Sequence, residues 1–301
     1  MKGELLQEYL NEEKIEYLSD FSTASISFLE VGGNAKYLIF PKSIKELCNL
    51  LCFIKDKGIK FFIVGNGSNV FFNDDGYNGA IISTRKLDKI RVKGDKLIAM
   101  CGALVTDCSV YALKNNLSGM EFLFGIPGSV GGAIFMNSSA YERDMAGVVL
   151  KSIALDLNKG KLVTFDASKH EFSPKRSIFS TNRELVLLST TFELKRSIKQ
   201  HIKSDMLKIS SKRILSQPLE FGSCGSTFKR PQNLFASKLI DQAKFKGKRI
   251  GGAKISKKHA GFIVNYNNAS AKDILNLIAK TRKVVLEKFN VLLEQEIIYV
   301  E

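Results

Sequence analysis

The sequence predicts an α+β fold. Helical and strand-like patterns are intermixed along the 301 residues, and many of the strand patterns come as hairpin-like pairs. The regular strand–helix alternation of a parallel doubly wound sheet is missing. With 45% of its residues hydrophobic, the chain has the means to bury a core, and its length suits about two domains.

The elements follow in order. SIKE at Ser43–Glu46 is a capping box, with Ser43 at the N-cap and Glu46 at the third helical position. It opens a helix that runs to about Lys57 and stops at Gly58. KFFIV (60–64) reads as a buried strand, followed by the turn GNGSN and by the short strands VFF and GAIIS around the polar NDDGYN. IRVKGDKLIAMCG is strand-like, and a helix is expected from about Thr106 to Asn116. Beyond the glycine-rich GMEFLFGIPGSVGGAIFMN, strands resume at VVLKSIALDL, KLVTF and ELVLLSTTFEL. The charged segment 195–218, closed by Pro218, is helix-compatible and is the best candidate for a domain connection. A strand AGFIVN (260–265), a helix from Ser270 to about Lys288 and a final strand VLLEQEIIYV complete the chain.

Several motifs bear on chemistry. GNGSNV (65–70) begins like a dinucleotide fingerprint, but Val70 occupies the third glycine position and strand, not helix, follows, so a Rossmann reading fails. What remains is a turn able to form an anion nest, set against an ordinary glycine turn. In GIPGSVGGAIFMNSSAY (125–141), glycines 125, 128, 131 and 132 sit among apolar residues at an entropic cost. Close approach to a ligand and close packing within the protein explain that cost equally well. Neither a phosphate-binding G-x-x-x-x-G-K-[ST] nor a G-x-S-x-G is present. In GSCGS, Cys224 is a candidate thiol nucleophile with His259 as its base, weighed against a small buried residue.

Composition narrows the class. The formal charge of +15 admits a polyanion partner, but the basic residues are spread without a run of five and the phenylalanines lie in apolar strands. A lysine-rich surface over a protein with anionic ligands is the better reading, with no nucleic-acid partner. The five cysteines form no framework, and Cys48 and Cys52, four apart, are expected on the apolar face of a helix. Three dispersed histidines and no Cys/His cluster predict no metal. The early glutamates 4, 8, 12, 13 and 16 argue against a signal peptide, and no apolar run approaches membrane-span length. A cytoplasmic protein without membrane or obligate protein partners is expected.

ISFLEVGGNAKYLIFPKSIKEL, VGNGSNVFFNDDGYNGAII, GMEFLFGIPGSVGGAIFMNSSAY, GSCGSTFKRP, RIGGAKISKKHAGFIVNYNNASAKDI and LEQEIIYV occur in this order. Together they resemble the UDP-N-acetylenolpyruvoylglucosamine reductase family, from about residue 20 to the C-terminus, in its shorter type without an inserted tyrosine-bearing loop. The resemblance implies a two-part FAD-binding domain of the vanillyl-alcohol-oxidase-like type (1–86 and 87–200) and a C-terminal α+β substrate domain (201–301). It implies FAD as bound cofactor, NADPH as co-substrate and a UDP-sugar substrate of peptidoglycan precursor synthesis.

Residue by residue, the resemblance implies Ser226 as proton donor, with Arg176 and Glu296 polarising the substrate carboxylate and enolate. Gly65, Asn66, Gly67, Ser68 and Asn69 would cradle the FAD pyrophosphate. Gly125, Gly128, Ser129, Gly131, Gly132 and Asn137 would line the cofactor, and Lys229, Arg230 and His259 the substrate. The chain departs from the family pattern at Lys175, where a tyrosine is usual, and at Ser216, where a lysine is frequent. Another flavin oxidoreductase of the same fold and a non-enzymatic polyanion binder are the competing readings.

Overall fold

The computed structural model describes residues 2–232 and 234–301. They divide into two compact units: 1–19, 37–66 and 79–211 form the first, and 20–36, 67–78 and 212–301 the second. Of the segment 195–218, expected to connect domains, Lys195–Arg196 is a short strand paired with Leu117–Ser118 and Lys199–Ser216 is a helix; the division at residues 211 and 212 falls inside that helix.

The helix Ile44–Asp56 of the first unit shows how closely its local sequence dictates it. Leu47, Leu50, Leu51 and Ile54 recur at helical spacing and are fully buried, while Gly58 ends the helix at φ +58°. The Ser43 hydroxyl accepts from the Glu46 N–H at 3.1 Å, as the capping box requires. The reciprocal bond is displaced, because the Glu46 carboxylate accepts from Lys42 N–H instead. Cys48 is half-buried and packs against the core as expected, whereas Cys52 is exposed and does not lie on the buried face. Lys2–Glu12 packs on this helix through Tyr9, stacked on Phe53 with centroids 4.0 Å apart.

A five-stranded antiparallel sheet dominates the first unit. Its order is Lys161–Asp166, Val149–Asp156, Leu185–Glu193, Lys96–Met100, Ile90–Lys93. The helices Val105–Lys114 and Val130–Phe135 pack against it, and the second arises within the glycine-rich stretch. A four-stranded sheet runs Glu16–Ser22, Asn34–Phe40, Tyr77–Ser83, Phe61–Val64; its residues to Ser19, from Tyr37 and from Gly79 belong to this unit. Phe61–Val64 lies parallel to its neighbour, with Val64 opposite Ser83, and thereby delivers the chain into the GNGSN turn.

In the second unit, a three-stranded antiparallel sheet of Arg249–Ile250, Ala253–Ile255 and Ile263–Asn265 is covered by Ala236–Gln242 and Ala271–Phe289. Ser270 and Asp273 form a reciprocal capping box on the long helix, and Asn290 ends it at φ +53°. Val70–Phe72 pairs in parallel with Ile298–Val300. The expected ten-residue C-terminal strand is therefore short. Residues 294–296 leave regular pairing to bond with the serine segment, an interaction that alternation of side chains does not encode.

Candidate active site

In the first unit, two glycine-bearing segments lie against each other. A Cβ added at Gly65 would run into Ser129 Oγ, and Asn66 Nδ2 donates to Pro127 O at 2.7 Å. Ser129 is buried, and its hydroxyl caps the helix Val130–Phe135 by accepting from Gly132 N–H at 3.2 Å. Val130 and Gly131 donate their N–H groups to Ala103 O and Cys101 O. The N–H groups of Gly65, Asn66, Gly128 and Ser129 donate to no described residue.

The glycines have different reasons for being glycine. At Gly131 a Cβ would press on Cys101, 3.1 Å from its carbonyl oxygen, and Gly125 stands at φ +80°. Gly132 is exposed, has ordinary φ, and would place a Cβ no nearer than 3.4 Å to Ser129 Oγ. Glycine inside a helix costs about 1 kcal/mol relative to alanine, and at Gly132 nothing among the described residues requires it.

Asn137 departs from its expected place as a cofactor contact. It is 2% exposed at φ +41°, and its side chain is spent inside the protein. Its amide nitrogen donates to Ser173 O and to Asp144 Oδ2, both at 3.1 Å, while its oxygen accepts from Ala146 N–H. Ser173 opens the loop that carries Arg176. Ser173 and Arg176 exchange two 3.1 Å backbone bonds with Lys175 between them at φ +58°, and Ser177 Oγ donates to Phe135 O. Arg176 itself is exposed, and its guanidinium makes no bond with a described residue.

In the second unit, the serine segment is fixed by its backbone. Thr227 N–H donates to Gly261 O, Thr227 O accepts from Glu296 N–H at 2.8 Å, and Lys229 N–H donates to Glu294 O. The Thr227 hydroxyl is buried and accepts from Ile263 N–H. Ser226, one residue earlier, is exposed and its hydroxyl contacts no described residue. Gly225 holds φ +75° with open space around it, so the turn alone demands glycine there.

These bonds hold the backbone next to Ser226 against residues 294–296, with Phe228 bridged to Gln295. Asn69 also serves Glu296: its side chain donates to Glu296 O at 3.3 Å and its own carbonyl accepts from Ile298 N–H. Asn69 thus anchors the segment carrying Glu296, a role its place in GNGSN does not reveal. Gly67 is glycine because a Cβ would strike Ile26 O at φ +78°, and the Ser68 hydroxyl bonds to no described residue.

Three further expected site residues lie in this unit. Lys229 pairs with Glu294 at 3.1 Å, both side chains partly exposed. The Arg230 guanidinium lies 4.1 Å over the Phe235 ring. His259 accepts from Gly261 N–H at Nδ1, 3.1 Å, and its pKa is lowered by burial, with the Lys246 charge adding to the shift. His259 is therefore linked through Gly261 to Thr227, the residue after Ser226, because the Gly261 carbonyl receives Thr227 N–H.

The thiol reading of Cys224 fails. Cys224 is 4% exposed, its sulfur donates to Val70 O at 3.4 Å, and burial pushes its pKa up to about 12. A thiol in that state supplies no thiolate at neutral pH.

Residues 217–300 match the family model of the UDP-N-acetylenolpyruvoylglucosamine reductase C-terminal domain, and residues 35–166 match that of an FAD binding domain. The UDP-N-acetylenolpyruvoylglucosamine reductase of Caldicellulosiruptor bescii is 43% identical over 97% of this chain and 93% of its own length. The chain belongs to this reductase family. The reductase of Clostridium novyi is 40% identical over 97% of this chain and 94% of its own. The crystal structure of the family's enzyme from Thermus caldophilus superposes with a TM-score of 0.80 at 28% identity, covering 95% of this chain and 99% of that one. Its α+β fold, with a domain of the FAD-binding class, is the fold the sequence predicts.

Proposed function

We propose that the protein reduces UDP-N-acetylenolpyruvoylglucosamine to UDP-N-acetylmuramate with NADPH and a bound FAD, a step of peptidoglycan precursor synthesis. The observation that carries this reading is Ser226, whose hydroxyl bonds to no described residue on a backbone locked to the Glu296 segment. The flavin, when bound, supplies hydride transfer from the nicotinamide to the terminal carbon of the substrate's enol ether.

The chain's own groups do the rest. Ser226 Oγ gives a proton to the adjacent carbon as negative charge develops there. Arg176 offsets the carboxylate and enolate charge as it develops, and Glu296 helps to polarise these groups. Lys229, Arg230 and His259 contact the substrate; Lys229 leaves Glu294 to do so at little cost, since exposed pairs are worth about 0–1 kcal/mol. The first unit fits FAD through the unspent amides of Gly65, Asn66, Gly128 and Ser129 and the open face of Gly132. Ser129, Asn137 and Asn69 support that site or the substrate segment through bonds already made. In functional terms, 1–86 and 87–200 serve the flavin and 201–301 the substrate, although the compact units interleave.

The test is the visible spectrum. A yellow protein is bleached by NADPH under anaerobic conditions and recolours when the enolpyruvyl sugar nucleotide is added. A protein that stays colourless after reconstitution with FAD defeats the proposal. Bleaching without recolouring favours another substrate for the same flavin fold.

A further inference from the structure

Arg85 is absorbed by none of these roles. It follows the strand Tyr77–Ser83, which runs beside Phe61–Val64 in parallel register, so both chains leave the sheet at the same edge. At that edge its guanidinium reaches the GNGSN turn and donates to the Asn66 carbonyl, Nη2 to O 3.1 Å. Asn66 is held from its other side by its bond to Pro127 O, so the cation rests on a fixed point of the cradle.

A guanidinium has five N–H donors, and only the bond to Asn66 O is made with a described residue. Among the described residues no carboxylate pairs with it. Burial holds its pKa below the ordinary arginine value even though the side chain as a whole stays exposed. A partly desolvated cation with spare donors is poorly offset by the protein alone. The same turn presents the unspent N–H groups of Gly65 and Asn66, with those of Gly128 and Ser129 on the facing segment.

We propose that Arg85 is a binding residue for the diphosphate of the dinucleotide cofactor, acting beside the amide groups of the Gly65–Asn66 turn. The inference rests on the FAD reading and adds to it a charged side chain from outside the glycine motifs. Its guanidinium geometry matches a phosphate oxygen pair, and its anchor on Asn66 O spares it the entropy a free arginine would lose.

The test uses the full-length apoprotein, titrated with FAD and, separately, with riboflavin, which lacks the diphosphate. Binding is read from flavin fluorescence. Arg85→Met is expected to weaken FAD about tenfold, one charge-assisted contact, and to change riboflavin affinity less than twofold. Arg85→Lys recovers part of the loss. Raising the salt concentration weakens FAD binding to the wild type more than to Arg85→Met. Equal losses for FAD and riboflavin mean that Arg85 merely shapes the turn, and unchanged FAD affinity means that it contacts nothing; either overturns the inference. An equal salt response in wild type and Arg85→Met overturns the assignment to the diphosphate. A wild-type protein that binds riboflavin but not FAD, or neither, overturns this inference together with the cofactor reading.

Discussion

The glycine-rich cradle of the first unit and the serine segment of the second divide their polar groups in opposite ways. In the cradle, side chains are spent and backbone is free. Asn66, Ser129 and Asn137 hold Pro127, Gly132 and Ser173 by side-chain bonds, while four N–H groups donate to nothing in the described protein. In the serine segment the backbone is spent, with the amides of Thr227, Lys229 and Glu296 all paired, and the Ser226 hydroxyl is free. The first pattern suits a large anion that needs many fixed donors. The second suits one proton moved at one atom, because the hydroxyl is placed by bonds that the reaction does not break.

Removing the free hydroxyl should have the largest effect. Ser226→Ala is expected to leave reduction of the flavin by NADPH intact and to slow its reoxidation by substrate about 10²–10⁴-fold, the range for a lost general acid. Stopped-flow absorbance separates the two halves. If both survive unchanged, the serine segment's spare group is idle and the contrast between the regions collapses.

Asn137 tests the other side. Asn137→Gly keeps the φ +41° conformation available and removes only the side-chain bonds. Leaving Ala146 N–H unsatisfied, while Ser173 O keeps its bond from Arg176 N–H, should cost about 1–3 kcal/mol, measured by denaturant unfolding. The loop bearing Arg176 loses one of its two side-chain tethers and keeps the bond from Ser177 Oγ to Phe135 O, so substrate reduction should slow while FAD affinity holds. Loss of FAD affinity in proportion to activity would make Asn137 a cofactor contact after all.

Gly132→Ala separates ligand from packing. In the apoprotein the methyl has ordinary space, and helix propensity favours it by up to about 1 kcal/mol, so stability should hold or rise. FAD affinity should fall, since the methyl would occupy the exposed face left open to the cofactor. A variant that binds FAD as the wild type does would return Gly132 to an ordinary surface glycine.

The contrast also explains what could be read from sequence. Side-chain signals survive in one dimension: the leucine spacing of Ile44–Asp56, the Ser270 cap and the hairpins of the antiparallel sheet stand nearly as their residues predict. Free amides carry no letter. Sequence placed glycines 65, 67, 125, 128, 131 and 132 beside the cofactor, but the fold is what shows close packing or positive φ demanding glycine at 65, 67, 125 and 131, a demand that Gly132 lacks. Asn69 and Asn137 were legible as polar residues near glycines, yet the partners that define them lie at 296 and 173. Arg85 gave no signal, because its significance is a bond to a carbonyl nineteen positions away. The helix Val130–Phe135 was masked by its own glycines, which lower helix propensity where tertiary contacts restore it.

His170 gives the smallest effect and shows how fully the first unit spends its side chains. The ring is 0% exposed, stacked on Phe172 at 4.9 Å and flanked by Phe165 and Phe179. Asp166 O can only accept, so Nδ1 carries the hydrogen of that 2.9 Å bond. Nε2 therefore accepts from Ser152 Oγ at 2.8 Å, and Ser152 meets Thr190 at 2.9 Å. The neutral ring is the one this arrangement wants, and burial lowers the pKa below the ordinary 6.5. The unfolded chain then binds the proton more readily. Stability from this group is complete above pH 6.5 and is lost as the pH falls through the folded-state value. Melting temperatures measured from pH 7.5 to 5 should decline with acidification, and His170→Gln should flatten part of that decline while lowering the plateau. His259, whose pKa is also lowered, accounts for a second part. If His170→Gln keeps the full acid slope, the ring titrates as freely in the fold as in the unfolded chain, and its bonds to Asp166 and Ser152 contribute nothing to the choice of charge state.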